Sequence, residues 1–112
     1  MNTNTATATP ANRLNGVDVK QVHEVIESIQ ADADIAKFQF RARNRWVNGA
    51  LNRSQLQDYT GANAEHTHAQ PFTLNNDEPP LLDGEDSAPN PVEYVLHALA
   101  GCLTTTMVYH AA

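Results

Sequence analysis

Residues 90–112 read NPVEYVLHALAGCLTTTMVYHAA. Asn90 can accept a hydrogen bond from the free amides at a helix start. Pro91 at the first helical position surrenders no donor that a helix would use. Glu93 at the third position can reach back to the Asn90 amide. A helix is therefore predicted from Val92 to the last residue, about 33 Å long if fully formed. It is apolar nearly all round, whereas a surface helix keeps one polar face, so it reads as a buried central helix that needs cover on every side. Glu93, His97, Gly101, the Thr104–Thr106 run and His110 interrupt the apolar run, and no Lys or Arg flanks it. A core helix thus fits better than a membrane span, which needs about 20 predominantly apolar residues with interfacial anchors.

Upstream, Val19, Val22, Ile26, Ile29 and Ala33 recur at spacings of three and four. They predict an amphipathic helix capped by Asn15 or Asp18 and ending near residues 31–34. The period then changes to two. Phe38, Phe40, Ala42 and Trp46 share one face of an extended segment, and Lys37, Gln39, Arg41, Arg43 and Arg45 share the other. Asn48-Gly49 is read as the type I′ turn of a hairpin, because both central positions need positive φ. Residues 50–58 would be the returning strand, 59–70 a loop and 71–75 a third strand. The acidic, turn-rich segment 83–89 links them to the helix. Residues 1–14 are read as a disordered tail without the basic and apolar regions of a secretory signal, leaving 15–112 as one α+β domain.

The chain has 112 residues with 13 acidic against 7 basic side chains, a net charge of −6. That balance argues against a nucleic-acid binder or an anionic-membrane binder, both of which need a basic face to displace counterions. One cysteine, Cys102, excludes an intramolecular disulfide and fits a reducing, cytoplasmic setting.

Four groups of residues are candidates for chemistry. Cys102 is either small apolar filler or a thiolate that needs a nearby cation. Arg41, Arg43 and Arg45 are either a solvated sheet face or that cation. Glu93 and His97 share a helix face, but Cys102 lies about 900° of turn beyond Glu93 and so on the opposite side. No Cys–His dyad is expected on this helix. Glu65, His66 and His68 sit in what reads as a loop and lack the three or four ligands of a zinc site, so neither a metal nor a cofactor is assigned.

The segment from Asn90 to Cys102 resembles the central-helix motif of the OsmC/Ohr family, the osmotically inducible and organic-hydroperoxide-resistance proteins. It shares the Asn-Pro opening, the mostly apolar helix, and a cysteine eleven residues after the proline. The strand, hairpin and strand before it match the family's N-terminal layout, and the resemblance spans roughly residues 36–112. It implies an α+β fold in which two long helices pack between sheets contributed by both subunits of an interlocked homodimer. It also implies a thiol-dependent peroxidase, active in the oxidative stress response, in which Cys102 attacks an organic hydroperoxide. A second cysteine on a later helix would resolve the sulfenic acid, and a dithiol would reduce the resulting disulfide. On this reading the chain is the N-terminal half of the fold, with Arg41, Arg43 and Arg45 the available thiolate-activating side chains. The alternative is a catalytically inactive member that binds a small apolar ligand or a partner subunit, or an inactive fragment. Val92 speaks for it, since it stands where the well-characterised members place a Glu.

Overall fold

The computed structural model describes residues 13–112, so residues 1–12 of the tail read at 1–14 lie outside the described residues, and its last two residues form a strand rather than a disordered tail. Arg13 and Leu14 are strand β1 (Arg13–Leu14), paired antiparallel with β2 (Val17–Asp18). Asn15 and Gly16 join them with φ of 51° and 79°. Both are positive, as a type I′ turn requires. Asp18 then caps helix α1 (Val19–Ala31), its carboxylate accepting the Gln21 amide at 3.1 Å. Start and end agree with the sequence reading.

A four-stranded antiparallel sheet follows, built from β3 (Gln39–Phe40), β4 (Arg43–Asn48), β5 (Leu51–Gly61) and β6 (Ala64–Asn76). Strand β5 is central. β6 lies along one edge, and β3 and β4 lie end to end along the other, interrupted at Arg41 and Ala42. Alternation puts Asn44, Ser54, Leu56 and Leu74 on one face. The other face carries Arg43, Arg45, Arg53, Gln55 and Thr73.

Two details of the hairpins differ from the sequence reading. The β4–β5 turn consists of Gly49 and Ala50, closing Asn48 against Leu51, and only Gly49 has positive φ, at 57°. A single positive φ on a leading glycine is the II′ pattern, not I′. Residues 59–70 are not a loop. They are the paired ends of β5 and β6, joined at Ala62 and Asn63 with φ of 51° and 60°. The I′ turn here hides behind an alanine, which pattern reading does not associate with positive φ. An alanine in that region costs roughly 1–2 kcal/mol. Ala62→Gly is expected to stabilise the protein by about 0.5–1 kcal/mol after the extra chain entropy of glycine, read as a higher urea midpoint. A lower midpoint would contradict the turn assignment.

Further along, β6 carries Pro71 inside a bulge: residues 68–71 lie opposite Gln57, between the pairs Asp58–Thr67 and Leu56–Phe72. Proline cannot donate to a ladder, so a bulge on an edge strand accommodates it.

Helix α2 (Pro91–Ala111) begins with the expected capping box. Asn90 Oδ1 accepts the Glu93 amide at 2.8 Å, and the Asn90 amide donates to Glu93 Oε1 at 3.0 Å. Its burial departs from the sequence reading. No residue of α2 is buried within one chain, and Leu99, Leu103 and Met107 are 55%, 64% and 66% exposed. Val17 is the one buried apolar residue among those described. The radius of gyration, 18.2 Å, exceeds the roughly 13 Å of a compact 100-residue domain. The helices and strands are formed, but among the described residues no layer buries α2.

Candidate functional site

The first turn of α2 is fixed to the sheet by Tyr94, whose hydroxyl donates to the Asn75 carbonyl at 2.6 Å. The next turn places His97 and Ala98 over Ala42, Ser54, Leu56, Leu74 and Asn76, around a cleft of about 350 Å³. At 3.6 residues per turn, Cys102 lies about one turn past Ala98 on nearly the same stripe. Its thiol is exposed, flanked along the helix by Leu99 and Leu103. Glu93 is engaged in the capping box on the other side.

The strand arginines stand on the opposite face of the sheet. Arg41 donates through Nη2 to Glu65 Oε2 at 2.9 Å and to the Thr60 hydroxyl, and through Nη1 to Asp58 Oδ1 at 3.3 Å. Arg43 lies 3.6 Å from the same Asp58 oxygen. Arg45 faces Arg53 across the β4–β5 pair, and Arg53 Nε donates to Asn75 Oδ1 at 2.7 Å. The Thr60 hydroxyl, then the Arg41 guanidinium, hold the Glu65 carboxyl below the usual range, and the Glu65 hydrogen bond raises Arg41 in turn. Within one chain, then, the sheet stands between these guanidinium groups and α2. Arg41 is committed to carboxylates rather than to the thiol.

No family model matches this chain, and no curated protein matches it.

Glu65, His66 and His68 belong to β6, not to a loop, and the sheet separates them. Glu65 joins Arg41. His66 and His68 enter a ladder of rings on the helix-facing side, where Tyr59 stacks on Phe40 at 5.2 Å and on His66 at 5.0 Å and meets His68 at a 40° tilt, 5.4 Å between centroids. His68 meets Phe72 edge-on at 4.9 Å, and Phe38 extends the stack beyond Phe40. His66 Nε2 sits 2.9 Å from the Gly61 carbonyl oxygen. Among the described residues, no three His, Cys, Asp or Glu side chains are grouped as a metal would need. No helix among them is long and apolar enough to cross a membrane.

One polar centre was not legible in the sequence. Asp77, 2% exposed, accepts from the Ser87 hydroxyl and amide and from the Glu78 amide, while its own amide donates to the Pro89 carbonyl at 3.2 Å. It closes residues 77–89 into a loop that delivers Asn90 to the start of α2. In the sequence Asp77 is one acid among several, and only its contact with Ser87, ten residues away, distinguishes it.

The Ser87 hydroxyl first, and then the backbone amides, hold the Asp77 carboxyl below its ordinary value. A depressed carboxyl stabilises the fold fully above its unfolded value of about 3.9. That contribution is lost as pH falls through the lower, folded value. Acidification through that window is expected to free the loop, seen as a titrating Ser87 amide resonance. Asp77→Asn should abolish the titration, and a Ser87 amide that is insensitive to pH would contradict this role.

Proposed function

We propose that the protein acts as an interlocked homodimer of the OsmC/Ohr kind and reduces organic hydroperoxides through Cys102. The observation that carries this reading is α2 itself, an apolar helix with a central thiol and no buried residue among those described. A second copy would cover it with apolar sheet and helix surface. The enclosed, apolar surroundings of Cys102 would then suit an organic peroxide better than hydrogen peroxide.

In the reaction, the thiolate sulfur attacks the terminal peroxide oxygen. An S–O bond forms as the O–O bond breaks, the sulfur is oxidised to a sulfenic acid, and the departing alkoxide takes a proton to leave as the alcohol. A dithiol supplies the electrons that return the sulfur to the thiol and release the oxygen as water. Stopped-flow consumption of cumene hydroperoxide with a dithiol reductant tests this reading. Cys102→Ser should reduce the rate to that of the uncatalysed reaction, and unchanged consumption would sink the proposal.

A second reading is supported by the engagement of Arg41 with Asp58 and Glu65, and by Val92 after Pro91. The same interface would then hold a small apolar molecule without redox chemistry. Iodoacetamide labelling separates the two. Rapid labelling of Cys102 at neutral pH supports the peroxidase, and labelling confined to alkaline solution supports the ligand site.

A further inference from the structure

We propose that Asn48 is a site of spontaneous deamidation, and that the carboxylate it produces loosens the acidic loop that seats α2. The chemistry needs an asparagine whose side-chain carbonyl carbon can be reached by the next backbone nitrogen, and a glycine at the next position leaves that nitrogen least hindered. Two such pairs exist, Asn15-Gly16 and Asn48-Gly49.

At the β4–β5 turn the geometry is open. Asn48 is exposed, Gly49 has φ of 57°, and a side chain added at Gly49 would meet nothing within 4 Å. Other asparagines of the same sheet are held. Asn44 Nδ2 donates to Asn52 Oδ1 at 2.8 Å, Asn76 Nδ2 donates to the same oxygen at 2.9 Å, and Asn75 Oδ1 accepts from Arg53. The Asn48 amide makes no side-chain hydrogen bond among the described residues.

In the reaction, the Gly49 nitrogen loses its proton and attacks Asn48 Cγ. A C–N bond forms and the Cγ–Nδ2 bond breaks, with the amide nitrogen leaving as ammonia. Water then opens the cyclic imide at either carbonyl, giving aspartate or isoaspartate at that position. Water is the only co-reactant, and no electrons change hands.

The consequence follows from what the turn rests against. Asn48 and Gly49 line a pocket of about 220 Å³ whose other walls include Asp77, Asp83, Glu85 and Ser87. A new carboxylate there shares the pocket lining with Asp77, Asp83 and Glu85, and like charges repel most where water is least able to screen them. Asp77 and its neighbours connect directly to α2 through the Pro89 carbonyl and through Glu78 Oε1, which accepts from Asn90 Nδ2 at 3.2 Å. A charge gained at the turn is therefore felt at the helix start.

Peptide mass spectrometry after incubation in mildly alkaline buffer tests the site. The peptide containing Asn48 should gain one mass unit and split into two chromatographic forms, at least an order of magnitude faster than peptides containing Asn44, Asn52, Asn75 or Asn76. Asn48→Gln should block the change. Equal rates for all asparagines would overturn the assignment.

Hydrogen exchange tests the consequence. Asn48→Asp should speed exchange across residues 78–89, and added salt should partly restore protection. Asn15→Asp adds the same charge at a turn that does not line this pocket and should leave those residues unchanged. No acceleration in Asn48→Asp, or equal acceleration in Asn15→Asp, would overturn the coupling.

Discussion

Gly84→Ala is expected to lower the melting temperature by on the order of 15 °C, corresponding to about 3 kcal/mol in a domain of this size. A Cβ on Gly84 would fall on the carbonyl group of Glu78. Both partners are backbone, so no side chain can swing aside to relieve the overlap. The loop has to open instead. Opening it strains the bond from the Gly84 amide to the Pro79 carbonyl at 3.1 Å and the one from the Asp86 amide to the Glu78 carbonyl at 3.0 Å. It also draws Glu78 away from Asn90 and so weakens the fixed start of α2. Gly101→Ala is the matching control, because an added Cβ there meets nothing within 4 Å in the protomer. It should stabilise α2 by up to about 1 kcal/mol. Similar melting temperatures for Gly84→Ala and the native protein would show that the loop is not packed as described.

Leu99→Asp and Leu103→Asp are expected to shift the proposed dimer to monomer in sedimentation velocity. Each leucine is more than half exposed in one chain, and burying such a side chain contributes about 2 kcal/mol. Two-fold symmetry counts every substitution twice. Each variant therefore loses about 4 kcal/mol of association, roughly a thousand-fold in the dissociation constant. The charge introduced at an apolar contact adds to that loss. A native protein that sediments as a monomer, or variants that dimerise as well as the native chain, would remove the basis for the interlocked assembly.

Local signals in the sequence proved sufficient wherever one interaction at short range decides the conformation. The capping box at Asn90 and Glu93, the Asp18 cap and the two-residue period from Phe38 to Trp46 are of that kind. Reading failed where the deciding contact is distant or chemically unexpected. Ala62 occupies a conformation that alanine disfavours because the pairing of β5 with β6 holds it there, so residues 59–70 passed for a loop. Pro71 suggested a strand beginning at residue 71, whereas the bulge opposite Gln57 lets a longer strand run past it. The arginine strand was legible as a face, but not the carboxylates that occupy it, since Asp58 and Glu65 reach Arg41 from two other strands. For the helix, hydropathy gave the apolar character of α2 but could not say that no described part of the chain buries it.

The bulge at residues 68–71 bears on how the protein avoids associating wrongly. β5 is flanked on both sides, but the outer margins of β6 and of the β3–β4 pair carry backbone groups with no neighbour in the sheet. Such margins invite endless strand-to-strand stacking between copies. Pro71 leaves β6 one donor short, and a bulge of this kind bends and twists the strand that carries it. The gap at Arg41 and Ala42 breaks the opposite margin into two short pieces. In the proposed dimer, a chain whose longest apolar helix is bare before it meets its partner is thus kept from polymerising through its sheet.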